Sequence, residues 1–296
     1  MKKSVRLPAF AKINLCLRVM GRRPDGYHEL RTIFQAISLR DTLELSLASS
    51  PGITLETDDP ALPTGRENLV YRAIEAIRSE IGFHRGIRAC LEKLIPVARG
   101  LGGGSSDAAA ALIGMLRLTE KKIPLERLMQ IAAGLGADVP FFLFGGRALA
   151  TNRGDEIYPL VDAPKRTILV VSPRNIGVST KEAYQWISEE LTNRTKPHTI
   201  WGFCALCWSL PEAVSNDFEE PVFCRYPRLG EIRAGLLQRG AVDAALAGSG
   251  SAVFGVFRNP AQARRAAREF PEDSVFLVET LSREKYGRAL GWRVAS

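Results

Sequence analysis

The stretch Pro96-Val-Ala-Arg-Gly-Leu-Gly-Gly-Gly-Ser-Ser106-Asp-Ala-Ala-Ala-Ala-Leu constrains this chain more than any other. Gly100, Gly102, Gly103 and Gly104 run straight into an alanine-rich segment of high helix propensity. Glycine lets backbone N–H groups approach an anion closely, and a helix starting there adds unpaired donors and about half a positive charge. Ser105 and Ser106 can cap that helix and offer hydroxyls to phosphate oxygens. The loop therefore reads as a phosphate cradle at a helix N-terminus. Taken alone it also admits a plainer reading, a flexible linker ahead of a helix. It is not a Walker A loop, because no Gly-Lys-Ser/Thr ends it, and Ser105 stands where the third Rossmann glycine would be. The protein-kinase landmarks His-Arg-Asp and Asp-Phe-Gly are absent.

A chain of 296 residues has room for about two domains. Hydrophobic residues make up 46% and charged residues 24%, which excludes a disordered chain, a collagen and a coiled coil. The net charge of +8 is mild and scattered (Arg22-Arg23, Lys121-Lys122, Arg264-Arg265). It suits an anionic ligand but forms no stripe for nucleic acid. Lys12, Asn14 and Arg18 interrupt the apolar N-terminal stretch, so it does not read as a signal peptide, and no run approaches ~18 apolar residues. The five cysteines, at 16, 90, 204, 207 and 224, are irregularly spaced and read as reduced thiols of a cytoplasmic protein. Cys204 and Cys207, with His198 and Cys224 nearby, lack the paired spacing of a zinc site and read as core, so no metal ligands are predicted.

Residues 5–18 alternate, with Ala11, Ile13, Leu15 and Leu17 on one face and Lys12, Asn14, Cys16 and Arg18 on the other, as in a strand. A turn is predicted at Arg23-Pro24-Asp25-Gly26, and strands at 28–38, 42–47, 53–57 and 87–94. Val70, Ile74, Ile77 and Ile81 mark an amphipathic helix that Asn68 can cap. The alanine-rich helix follows, then a helix at 125–134, a turn at 136–140, an apolar strand at VPFFLF and a strand-like region from Ala148 to Leu160. The composition breaks at Asp162-Ala163-Pro164-Lys165, which divides the chain into domains 1–162 and 163–296. In the second, strands are expected at TILVVSP, AVFGVF and SVFLVE, helices at 180–191, 229–239 and 260–269, and a glycine turn at 248–251. The stretch 192–228 is irregular. Strands and helices mixed without regular alternation predict two α+β domains.

Two side chains sharpen the reading of the loop. Lys12, two residues before Asn14, lies on a strand whose apolar neighbours suggest an interior position, where an ammonium group needs an anionic partner. Asp138, in Gly-Ala-Asp-Val-Pro, stands beside an apolar run that would hold a carboxylate rigidly. Each has a plainer reading, a solvent-face lysine and a turn aspartate. Together with the loop they compose a phosphoryl-transfer constellation.

At this point the sequence resembles the galactokinase–homoserine kinase–mevalonate kinase–phosphomevalonate kinase (GHMP) superfamily. Its three motifs occur in order: Pro8-Ala-Phe-Ala-Lys12-Ile-Asn14-Leu, Pro96 to Ala109, and Ala247-Gly-Ser-Gly-Ser-Ala-Val-Phe-Gly255. Gly21-Arg-Arg-Pro-Asp-Gly-Tyr-His28-Glu-Leu, Leu135-Gly-Ala-Asp138-Val-Pro and Asn216-Asp217-Phe-Glu resemble the branch that serves the non-mevalonate isoprenoid pathway. The resemblance covers essentially the whole chain. It implies the two-domain α+β GHMP kinase fold, an N-terminal domain like domain 2 of ribosomal protein S5 and a ferredoxin-like C-terminal domain. It implies phosphorylation by ATP of the 2-hydroxyl of a cytidine-diphosphate-linked polyol.

Carried onto this sequence, the resemblance implies that Asp138 accepts the hydroxyl proton and that Lys12 sits against Asp138 and the γ-phosphate. ATP would lie on Pro96, Val97, Ala98, Arg99, Gly100, Leu101, Gly102, Gly103, Gly104, Ser105 and Ser106, with Asn68 near the adenine. Tyr27 and Tyr184 would sandwich the cytosine, His28 would bond its polar edge, and Asn14 would lie near the substrate. Gly248, Ser249 and Gly250 form the third-motif loop. Mg2+ would accompany ATP, held mostly by phosphates and water with Ser105 or Ser106. The implied protein is a cytoplasmic monomer or homodimer with no nucleic-acid or membrane partner. Arg99 and Ala247 depart from the pattern: a small residue is usual at the first, and a hydroxyl residue at the second.

Overall fold

The computed structural model describes residues 4–193 and 214–293. The predicted C-x-x-C at Cys204 and Cys207, and most of the irregular stretch, lie outside the described residues. Strands β1 (Ser4–Arg22) and β2 (His28–Ala48) pair antiparallel along most of their length and form the spine of a seven-stranded sheet. The two strands expected at 28–38 and 42–47 are thus one. No glycine or proline separates them, and Asp41, which looks like a break in sequence, is buried and accepts from Leu94 N and Ile95 N at 2.6 and 2.8 Å.

The length of β2 lets its single outer edge serve two partners. Residues 42–48 pair with β4 (Gly86–Glu92), and residues 32–35 pair with β5 (Arg147–Thr151), which forms a hairpin with β6 (Glu156–Pro159). β3 (Ile53–Thr57) extends the sheet beyond β4. The strict alternation expected along β1 fails, because the register shifts between Phe10 and Lys12 and again between Asn14 and Cys16. Such bulges re-aim side chains. Leu17 joins a different apolar cluster from Ala11 and Ile13, while Lys12 and Asn14 stay on one face between the two shifts.

Helices α1 (Leu69–Glu80), α2 (Gly103–Thr119) and α3 (Leu125–Leu135) cover the sheet. Asn68 caps α1 as predicted, its Oδ1 accepting from Val70 N at 2.9 Å. α2 is buried almost throughout, and its small residues set its distance from the sheet: a Cβ on Gly114 would come within 2.7 Å of Leu45 Cδ1. Its N-cap is Gly102 in a left-handed conformation (φ 72°), with no side-chain cap. Ser105 and Ser106 therefore lie inside the first turn rather than capping it, because the loop enters the helix through a conformation that glycine adopts without steric cost. The expected VPFFLF strand is a short helix, α4 (Phe141–Phe144), begun by Pro140 at φ −56°, ψ −38° and ended by Gly145 at φ 62°. A short apolar run cannot distinguish the two from sequence.

The second half builds an antiparallel four-stranded sheet from β7 (Thr167–Ser172), β9 (Asp243–Leu246), β10 (Val253–Phe257) and β11 (Ser274–Glu279), with β7 and β10 central. The short β8 (Ser215–Asn216) joins β1 of the large sheet. α5 (Thr180–Asn193), α6 (Glu219–Arg225), α7 (Pro227–Gln238) and α8 (Pro260–Ala267) complete the layer. The other face of this sheet meets β1 and β2 through Ala11, Ile13, Ile37 and Leu39 against Ile168, Val170, Ala245 and Phe254. A second element returns to the first half: Tyr286 and Leu290 of α9 (Arg283–Leu290) are buried in the core of the large sheet and its helices. Cys90 and Cys224 are free thiols. No helix of the described residues is long and apolar enough to cross a membrane.

Candidate active site

Where the two sheets meet, a cleft of about 1380 Å³ opens. It is lined by residues expected from the sequence: Lys12, Asn14, Tyr27, His28, Asn68, Pro96 through Ser105, Asp138, Tyr184, Gly248 and Ser249. Ser106 and Gly250 do not line it. Ser106 is buried under the first turn of α2, and its Oγ has no partner.

Lys12 reaches the loop through its own backbone, whose N–H donates to Leu101 O at 3.0 Å. Its side chain is buried, with Nζ donating to Asn14 Oδ1 at 2.8 Å and lying 5.0 Å from the centre of the Phe34 ring. The carboxylate it needs is Asp138, at 3.5 Å. Residues far apart in sequence thus meet beside the glycine loop. The aspartate side chain keeps 31% exposure, so it faces the cleft. Asn14 is fixed in turn, donating to Thr32 Oγ1 at 2.8 Å, and Thr32 donates to Cys16 O at 2.7 Å.

The glycines of the loop are demanded by close approach. Gly100 (φ +78°) lies against the third-motif loop so tightly that a Cβ there would stand 1.8 Å from Ala247 O. The third-motif loop is held from behind by Asn216, whose Nδ2 donates to Leu246 O at 2.8 Å and Gly248 O at 2.7 Å. Asp217 bonds Arg18 at 2.5 Å and Val19 N at 3.0 Å. Ser249 Oγ meets Thr180 Oγ1 at 3.0 Å. Gly103, Gly104 and Ser105 sit at the start of α2, where backbone N–H groups have no partner within the helix.

Beneath the loop lies a charged cluster that sequence reasoning missed. Lys93 Nζ bonds Asp41 and, at 2.7 Å, Asp107. Both carboxylates are buried. Burial alone would lower the Lys93 ammonium, but Asp107 and Asp41 hold it above its usual range. Burial raises the Asp107 carboxyl despite Lys93, and Asp41 adds to the rise. The only signal in sequence was Asp107 itself, a carboxylate inside an otherwise apolar helix start.

At the other end of the cleft, His28 stacks on Tyr184 (centroids 4.9 Å apart, 22° between planes), and Tyr184 meets Phe218 edge-on. His28 Nε2 is 2.7 Å from Ser188 Oγ. The Ser188 hydroxyl donates to Tyr184 O, so the histidine nitrogen must be the donor in its own bond, leaving Nδ1 as the acceptor of the neutral ring. Burial, and then the charge of Arg22, lowers the His28 pKa and favours that neutral form. Tyr27 is 57% exposed and has the Arg153 guanidinium over its ring at 5.0 Å. Asn68 lines the cleft while its amide is engaged with backbone on both sides, Val70 N and Pro63 O.

Similarity to known proteins agrees with this geometry. Residues 68–146 match the GHMP kinases N terminal domain, and residues 205–274 match the GHMP kinases C terminal. A 4-diphosphocytidyl-2-C-methyl-D-erythritol kinase of Solibacter usitatus is 44% identical, over 99% of this chain and 93% of the relative. One from Geobacter metallireducens is 41% identical over 93% and 97%. A crystal structure of 4-(cytidine 5'-diphospho)-2C-methyl-D-erythritol kinase superposes with a TM-score of 0.79 at 35% identity, covering 93% of this chain and 99% of that one. Homoserine kinase from Cytophaga hutchinsonii shares the fold, with a TM-score of 0.72 at 18% identity over 95% and 96%.

Proposed function

Because the chain belongs to the 4-diphosphocytidyl-2-C-methyl-D-erythritol kinases of the GHMP family, we propose that its cleft carries phosphate from ATP to the 2-hydroxyl of 4-diphosphocytidyl-2-C-methyl-D-erythritol. The products are the 2-phosphate and ADP, in the non-mevalonate route to isoprenoid precursors. The observation that carries this reading is the Lys12–Asp138 pair at 3.5 Å, beside a glycine loop at the start of a buried helix.

In this reading Asp138 accepts the proton of the tertiary hydroxyl. The Lys12 ammonium, held by Asn14, orients that carboxylate and balances charge on the transferring group. The loop amides and the positive end of α2 hold the phosphates. Phosphoryl transfer has a loose transition state, so this fixed placement matters more than base strength. His28 accepts at Nδ1 from a donor on the base edge, while Tyr184, backed by Phe218, offers an aromatic wall. The described residues hold no group of three or more His, Cys, Asp or Glu able to hold a metal. The donors near the loop instead fit a Mg2+ bound mainly through phosphate and water, with the hydroxyl of Ser105, which lines the cleft, beside it. When bound, it neutralises phosphate charge. The same reading makes the enzyme a cytoplasmic monomer or homodimer acting on small molecules without nucleic acid.

The test is incubation with ATP, Mg2+ and the cytidine-diphosphate methylerythritol, with homoserine and mevalonate as alternative acceptors. Only the first should yield a phosphorylated product. Asp138→Ala should cut turnover by at least about 10²–10⁴-fold, with ATP affinity by calorimetry nearly unchanged. Near-normal turnover in that variant rejects the assignment.

A further inference from the structure

We propose that Arg99 is a positioning residue, a cross-brace that sets where the phosphate loop stands relative to the third-motif loop, rather than a ligand of the phosphates. The inference rests on the kinase reading above for what the loop binds.

Four contacts carry it. Arg99 Nη1 donates to Ser251 Oγ at 2.8 Å, and Nη2 donates to Arg174 O at 3.1 Å. Ser251 Oγ passes its own hydrogen to Ile176 O at 2.5 Å. The backbone closes the circuit, Ala252 N donating to Arg99 O at 3.2 Å. One residue therefore ties the loop to two separate segments of the second half, its side chain to Arg174 and Ser251 and its carbonyl to Ala252. Both terminal nitrogens point at protein acceptors. Ser251 is wholly buried and absent from the cleft lining.

A glycine loop needs such a brace. Its freedom lets amides approach an anion, but it also lets them wander, and ordering them costs entropy. Arg99 precedes the first loop glycine, at the point where Gly100 touches Ala247 O. The far side of the brace also carries Gly248, and a Cβ placed there would stand 3.4 Å from Lys12 Nζ. The brace contacts thus fix the phosphate loop and the third-motif loop against each other, and the Lys12 backbone joins the phosphate loop separately, at Leu101 O. A small residue in the place of Arg99 would leave Ser251 without this donor.

The experiment compares Arg99→Met, Arg99→Lys, Ser251→Ala and the Arg99→Met/Ser251→Ala double variant of the full chain. ATP binding is measured by calorimetry without acceptor, then KM and kcat are measured for both substrates. Arg99→Met should weaken ATP binding by about tenfold and raise its KM alike, with kcat and the acceptor KM within about twofold. Ser251→Ala should do the same in kind, the double variant should be no worse than the worse single one, and Arg99→Lys should recover part of the loss. The brace is overturned if Arg99→Met binds ATP normally. It is equally overturned if Ser251→Ala is silent or the two losses multiply, for then the guanidinium acts on the nucleotide directly. Should Ser251→Ala not fold, hydrogen exchange of the 99–106 amides in nucleotide-free Arg99→Met decides: faster exchange than in the parent supports the brace, and equal exchange refutes it. A parent enzyme that binds ATP but fails to phosphorylate the proposed acceptor would remove that acceptor and leave the brace standing.

Discussion

Gly100→Ala puts the contact between the two loops under direct strain. At φ +78° an alanine is disfavoured by about 1–2 kcal/mol on backbone conformation alone. Its Cβ would stand 1.8 Å from Ala247 O, and real Cβ atoms essentially never come within 3.0 Å, so the contact must open by at least about 1.2 Å. Neither side can yield by rotating a side chain. The obstacle is backbone, and Asn216 and the Arg99–Ser251 bond hold it in place. A shift of about 1 Å in a phosphate-positioning element costs on the order of 10²-fold in rate. Turnover should therefore fall about 100-fold, with a loss of about 1–3 kcal/mol in urea unfolding. Gly134→Ala is the control: it lies inside α3 with nothing within 4 Å of its Cβ, and should gain up to about 1 kcal/mol. If Gly100→Ala turns over within about threefold of the parent and unfolds at the same urea concentration, the close approach is not real and the reasoning fails.

Two further outcomes can be checked together. The Asp107 carboxyl is raised in the folded state, so the native protein binds a proton that the unfolded chain releases above about pH 4. Its contribution to stability is then greatest at low pH and declines as pH rises toward the folded-state value, by at most about 1.4 kcal/mol per pH unit. Asp107→Asn should flatten the slope of unfolding free energy between about pH 5 and 8, and an unchanged slope would assign that pH dependence elsewhere. Tyr286→Phe removes the bond from the buried hydroxyl to Phe142 O at 2.7 Å and should cost about 1–3 kcal/mol by denaturation, an outcome that a wild-type midpoint would contradict.

The parts legible in sequence were those with local signatures. The helix at Asn68, the glycine loop and the turn bearing Asp138 each carry their own turn or cap chemistry, and Lys12 announced itself as a cation on an apolar strand. What failed was non-local or ambiguous over a short span. VPFFLF is apolar in either conformation, and Pro140 made it a helical turn. The run through Asp41 looked like two strands, because the amides that satisfy its carboxylate come from residues 94 and 95. The Lys93 cluster joins three segments that nothing in the chain order connects. Helix α9 did carry signals, a Ser282 cap and a left-handed Gly291, but its shortness hid them. Asn216 and Asp217 stood out only as part of a resemblance. Their work, holding the third-motif loop and anchoring Arg18, depends on partners about 30 and 200 positions away.

The return of α9 has a consequence for how the protein is made. Tyr286 bonds Phe142 O and Trp292 bonds Leu143 O, separations of 144 and 149 positions, so two residues synthesised much later hold the turn immediately following Asp138. A ribosome releasing this chain from its N-terminal side exposes the lysine, the loop and the aspartate long before those locks emerge. The nascent chain therefore carries the pair proposed above while the turn beside the aspartate still lacks two of its hydrogen-bond partners.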